Sequence, residues 1–259
     1  MSSFAFFKKM APLAWLAVAP FALACTAGGD VYVESHTGSS QSSLACNVAP
    51  GEDVCGRSFD GIIAPENRTA VVGSLALVTE FAGIARQAHD DIARACETLV
   101  DGLGATRPPQ PPGVDDKART KATCDAAIVA IGKVNRSSFS LAVAAPPCID
   151  TPQPSCASKG APPSIYCPTP SVTLTMSADA SARDAADGAV LQKNLALVAS
   201  VKGRAEALGR LTGAIAGTAA TLADGGACTA TAVRLATNGT ADATTSIELA
   251  ARLVSAIAP

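Results

Sequence analysis

Aromatic rings are scarce in this 259-residue chain, which has one Trp, two Tyr and seven Phe. Trp15 and four of the Phe fall within residues 1–24, leaving Tyr32, Phe59, Phe81, Phe139 and Tyr166 for the rest. Sugar platforms, base-stacking surfaces and aromatic cages all need clustered rings, and five scattered ones do not furnish them. Histidine is scarcer still, with only His36 and His89. There is no CxxC pair, HExxH helix, G-x-S-x-G elbow, phosphate-binding loop or dinucleotide fingerprint. Basic clusters are missing too. The formal charge of -2 becomes -4 once Lys8 and Lys9 leave with residues 1–24, which carry no acidic group, so phosphate neutralisation and nucleic acid binding are not expected.

What the chain does have is an export signature. Residues 1–24 read as a signal peptide: Lys8 and Lys9, the apolar run Met10 to Leu23, then small residues at the cleavage point. Ala22-Leu23-Ala24 satisfies an A-x-A site for ordinary secretion. With Cys25 it also resembles a bacterial lipoprotein box, in which the cysteine thiol after the cut receives diacylglycerol; such boxes usually carry Leu three residues before the Cys, where this chain has Ala22. The lipidated reading implies a membrane partner through the anchor on Cys25 and a location in the outer membrane or periplasm. The alternative is a soluble, secreted protein.

Cysteine parity favours the anchor. With Cys25 lipidated, Cys46, Cys55, Cys96, Cys124, Cys148, Cys156, Cys167 and Cys228 form an even set of disulfide candidates in an oxidising compartment. About a fifth of the residues are Ala, a strong helix former with little apolar area. Covalent cross-links therefore have a structural purpose, each typically contributing about 2 to 4 kcal/mol.

Residues 25–60 read as a flexible tether ending in a turn at Ala49-Pro50-Gly51-Glu52, where a local Cys46 to Cys55 bridge is expected over a metal site with Glu52, Asp53 or His36. Residues 61–259 read as a single helical-bundle domain. A first helix opens at Pro65 and Glu66 and runs to about Leu103, with Val78, Phe81, Ala85, Ala88, Ile92, Ala95 and Leu99 on one stripe. The proline-rich stretch Arg107 to Gly113 is a stiff connector. A second helix over Val114 to Asn135 carries Ala118, Cys124, Ile128, Ile131 and Val134; an antiparallel fold-back would bring Cys124 to Cys96.

Residues 138–177 form a Cys- and Pro-rich insertion. Ser138 to Val143 and Ser171 to Met176 alternate polar with apolar, the period of two short strands that could pair. Among Cys148, Cys156 and Cys167 one thiol is left over and is expected to reach Cys228 or another distant partner. The longest helix, about Asp179 to Ala223, starts at a Ser181/Asp184 capping box. Gly209, Gly213 and Gly217 make a glycine zipper within it, expected to serve tight helix packing rather than membrane insertion. A shorter helical piece from Cys228 is expected to break at Asn238-Gly239 before a last helix with Ile247, Ala250, Val254 and Ile257 on one face.

The fold class expected is mainly α: an antiparallel helical bundle with a disulfide-stapled loop flanked by two short β-strands. Ile63-Ala64-Pro65-Glu66-Asn67, Ala95-Cys96, Pro146-Pro147-Cys148 and Ala227-Cys228, set around long Ala-rich helices, resemble an uncharacterised family of exported bacterial Ala-rich, Cys-containing proteins. The resemblance implies no activity. His89 lies beside Asp90 and Asp91, but those neighbours point to different helix faces, so a solvated histidine is expected rather than a metal ligand. With no catalytic residues, metal or cofactor expected, the function expected is nonenzymatic: a structural or protein-interaction role with an unknown envelope protein. Two alternatives stand beside it, a soluble secreted helical binder or inhibitor and a weakly membrane-active protein using the glycine zipper.

Overall fold

The computed structural model describes residues 46–151 and 164–257. They are mainly helical, with five α-helices and two small antiparallel sheets. The helices are α1 (Arg68–Gly102), α2 (Asp116–Ile131), α3 (Ala182–Gly217), α4 (Ala219–Ala223) and α5 (Ala227–Ile257). The strands are β1 (Phe139–Ala144), β2 (Ile149–Thr151), β3 (Ser164–Tyr166) and β4 (Ser171–Met176).

Helix α1 is the spine. It is long and apolar enough to cross a membrane, but most of its apolar window is buried inside the fold, and the whole stripe from Val78 to Leu99 faces the core. Helix α3 runs antiparallel to it: Thr98 donates to Asn194, Arg204 Nη1 stands 2.5 Å from Asp91, and Arg204 also reaches the carbonyl of Gln87 at 3.5 Å. Helices α2 and α5 run in the same sense as α1, which corrects the antiparallel arrangement expected for α1 and α2. Arg86 and His89 meet Asp116, His89 meets Thr120, and Cys96 bridges Cys124 further along both helices. On the other side Lys117 pairs with Asp242 at 2.8 Å and Asp125 with Arg252 at 2.6 Å, an ascending register again. The physical reason lies in the connector. Thirteen residues, 103–115, extended by their prolines at about 3.1 Å each, cover about 40 Å, enough to return along α1 before α2 begins. Gln110 accordingly lines a cavity together with Ala93 and Glu97 of α1.

Disulfides join Cys46 to Cys228, Cys96 to Cys124 and Cys148 to Cys167. The local Cys46 to Cys55 bridge is therefore corrected, and Cys228 is reached from the N-terminal segment, not from the insertion. The turn itself forms: Glu52 N donates to Ala49 O at 3.2 Å with Gly51 at φ +73°. It lies on the outside of α1, with Gly51 N donating to Thr79 O at 2.7 Å while Ala49, Pro50 and Gly51 stay exposed, and Cys46 before it sits beside α5. Cys55 is disulfide-bonded as well. Packing also begins before residue 61, since Cys46, Val48, Val54, Cys55 and Phe59 are all buried.

Strands β1 and β4 pair along their whole length, Phe139 opposite Met176 through Ala144 opposite Ser171. Their apolar face lies on α3, where a Cβ on Gly188 would stand 3.1 Å from Leu174. The second sheet, β2 with β3, lies inside the expected loop and is closed by Cys148–Cys167. Its anchor is Glu80 of α1, whose Oε1 accepts from Ser164 Oγ and from Ile165 N, each at 2.9 Å.

Two helical expectations are corrected. Helix α5 continues through Asn238-Gly239, because Gly239 lets the Phe81 ring approach to where a Cβ would be 2.9 Å away. Tertiary packing outweighs a helix-propensity cost of about 1 kcal/mol. The glycine zipper does not pack against a neighbour: Gly209, Gly213 and Gly217 are exposed, with nothing within 4 Å of a Cβ built on any of them. The Ser181/Asp184 capping box opens α3 with both reciprocal hydrogen bonds in place.

Candidate apolar groove and polar clusters

Where α3 ends, Thr218 interrupts the helix, and α4 follows in contact with α1 and α5. Val78, Ile215, Leu222 and Ala232 form the floor of the resulting groove, and Ala223, Val233, Thr237 and Ala241 stand exposed at its rim. Its volume is about 380 Å³, within the usual range of roughly 300 to 1,000 Å³ for small-molecule sites. No charged side chain lines it. Two of its three threonines spend their hydroxyls on backbone carbonyls, Thr229 donating to Leu222 O of α4 at 2.6 Å and Thr240 to Ala236 O of α5 at 2.8 Å. The wall therefore presents methyl groups and offers little direction to a polar ligand. The sequence reading missed this site because its residues come from four helices and are mostly alanines and threonines, which carry no chemical signature of their own.

A second, polar cavity of about 200 Å³ separates α1 from α2 and is lined by Glu97, Gln110, Asp116, Arg119, Thr120 and Thr123. His89 sits beneath it, 1 % exposed, with Nε2 3.3 Å from Asp116 and 3.4 Å from Thr120. This corrects the solvated histidine: the side that faces away from Asp90 and Asp91 is the side α2 covers. Asp90 pairs with Arg86 and Asp91 with Arg204, so neither carboxylate joins His89. Both polar atoms that hold the ring approach the same nitrogen, which ties His89 to α2 as a fastener between helices.

Other charges join helices or hold local turns and caps. Burial acts to raise the Asp125 pKa, but hydrogen bonds from Arg252 and Lys121 hold it below the ordinary carboxylate value. Asp101 is held low by the hydrogen bond from Arg107, and Asp184 by the Ser181 hydroxyl and backbone. Near the N-terminal turn, Glu52 pairs with Arg57 at 2.6 Å, Asp53 accepts from Cys55 N, and both Cys46 and Cys55 are disulfide-bonded, so these thiols are not metal ligands. Among the described residues no group of three or more His, Cys, Asp or Glu is placed to hold a metal ion. The lipidation candidate Cys25, together with His36 and Cys156, lies outside the described residues.

No family model, curated protein or solved structure matches this chain.

Proposed function

We propose that this protein is a nonenzymatic, exported lipoprotein of the bacterial cell envelope, a disulfide-stapled helical bundle held to a membrane through Cys25, with a structural or protein-interaction role. The observation that carries the reading is cross-linking: three disulfides join segments up to 182 residues apart, an arrangement that persists in oxidising compartments. The Ala22-Leu23-Ala24-Cys25 sequence supports the anchor, and the resemblance to exported Ala-rich proteins supports the address. The use of Asp91, Asp125 and Asp242 in helix-to-helix ion pairs supports a scaffold role.

The test is the intact mass of the mature protein together with membrane fractionation. Added acyl mass on a chain beginning at Cys25, with recovery in the membrane fraction, supports the anchor; an unmodified Cys25 in a wholly soluble protein overturns it. Crosslinking in intact envelopes that recovers no specific partner, beside a measurable turnover of some substrate, overturns the nonenzymatic part. A second reading, a soluble secreted binder, is favoured by the apolar groove, which needs no membrane to take a ligand.

A further inference from the structure

We propose that the groove between α1, α4 and α5 shelters one acyl chain of the lipid carried on Cys25 whenever the protein is away from a bilayer. This rests on the lipid-anchored reading above. Three observations converge on it.

The first is the lining. With no charged residue, and with the Thr229 and Thr240 hydroxyls turned to backbone carbonyls, the groove rewards an occupant that has nothing to hydrogen-bond. An unbranched hydrocarbon chain meets that condition. The second is size. At about 380 Å³ the groove is well above the roughly 150 Å³ of a protein cavity that holds a benzene ring, a volume that suits one hydrocarbon chain.

The third is where the preceding chain arrives. Cys46 is bridged to Cys228, and its carbonyl accepts from Thr231 Oγ at 2.8 Å. Both attachments fall on the first turns of α5, beside the groove residues Thr229 and Ala232. Only residues 26–45 separate that point from Cys25. A peptide of that length reaches at most about 70 Å when extended and spans about 25 Å on average as a coil. A chain linked so closely is present at an effective concentration of order mM, so weak affinity suffices to fill the groove. In a membrane the bilayer competes for the same chain, which makes the sheltered state a property of the detached protein.

The experiment uses the full chain, exported and matured, in detergent-free buffer, with dansyl-undecanoic acid as a fluorescent probe. Intact mass establishes acylation of Cys25 independently. The unacylated Cys25→Ser protein is expected to bind one probe per chain, and the acylated protein at least tenfold more weakly because its own chain occupies the site. In the Cys25→Ser background Ala236→Trp abolishes probe binding while leaving the thermal melt cooperative. If Ala236→Trp does not fold, Val233→Trp at the exposed rim serves as the blocker. Equal probe binding by acylated and Cys25→Ser proteins overturns the proposal and leaves the groove to lipids from outside. No binding by Cys25→Ser, or binding indifferent to both tryptophans, removes the groove as an acyl site. A mass without acyl groups defeats the proposal together with the anchor reading, whereas the other failures leave that reading standing.

Discussion

Gly83 of α1 faces Gly51 of the N-terminal turn so closely that a Cβ on Gly83 would stand 2.6 Å from the Gly51 Cα. The obstructing atom is backbone, and Gly51 is held there by its hydrogen bond to Thr79 O. Gly83→Ala gains about 1 kcal/mol of helix propensity. It should nevertheless destabilise the protein by up to about 2 kcal/mol net, since an overpacking cost of about 1 to 3 kcal/mol stands against that gain. Gly239→Ala meets the edge of the buried Phe81 ring at 2.9 Å and the Ala82 Cα at 3.2 Å, with no backbone atom as near as the Gly51 Cα is to Gly83, and should cost less than Gly83→Ala. Urea unfolding of the two variants gives the ranking; equal stability for both would contradict it.

The bridges should differ in what they contribute. Cys46–Cys228 closes 182 residues and Cys96–Cys124 closes 28. Chain entropy alone assigns about 5 and about 3.6 kcal/mol to loops of those lengths. The Cys46→Ser/Cys228→Ser protein is therefore expected to be less stable than Cys96→Ser/Cys124→Ser by about 1 to 2 kcal/mol in urea. The reverse order would mean that native packing around Cys46, not loop length, governs the effect.

Accessibility predicts the order of reduction among these three bridges. Cys148 and Cys167 are half-buried on the small β2–β3 sheet, whereas Cys46, Cys96, Cys124 and Cys228 are all at most 4 % exposed. Mild reductant on the folded protein, followed by alkylation and peptide mapping, should label Cys148 and Cys167 before those four. Early labelling of Cys96 or Cys124 would show that α2 opens more readily than its packing implies.

Acid should loosen the α2–α5 joint. Because Arg252 and Lys121 depress the Asp125 pKa in the folded state, the stability they confer is complete above the unfolded value of about 3.9 and is lost as pH falls through the lower folded-state value. Asp125→Asn should therefore be less stable than wild type at pH about 6, and the gap should shrink as the pH approaches about 2. Thermal melts across that range measure it, and a gap that stays constant removes Asp125 from the acid response. Some wild-type acid sensitivity will remain in the variant, since Asp101 and Asp184 are depressed as well.

Much of the secondary structure was legible in the sequence, for reasons that can be named. The α1 stripe from Val78 to Leu99 and the Ser181/Asp184 cap rest on local pattern and appear as expected, and the two alternating segments pair, the first as Phe139–Ala144, one residue later than the Ser138 to Val143 expected. In α2 Cys124 and Ile131 are buried and Ile128 and Val134 pack against the core as the pattern has them, but Ala118 is exposed, and Thr120, Thr123 and Ala127, which the pattern leaves out, face inward. That helix is weakly amphipathic, and its phase is set by the Cys96–Cys124 bridge and by His89. The same bridge followed from an antiparallel hairpin that does not exist; a long extended connector brings the same two sulfurs together from the opposite helix direction. The groove was invisible because alanine and threonine acquire meaning as a lining only when four helices converge.

The bond from Cys46 to Cys228 also decides how the fold carries mechanical load. Tension applied through the segment before Cys46 enters the folded part at a sulfur atom and passes directly into the start of α5. Residues 47–227 hang from that line as a closed covalent loop and bear no pull when force is drawn between the N-terminal segment and the C-terminal end. Stretched in that direction, the part from Cys46 to Ile257 lengthens only by the unravelling of α5 until a sulfur–sulfur bond breaks.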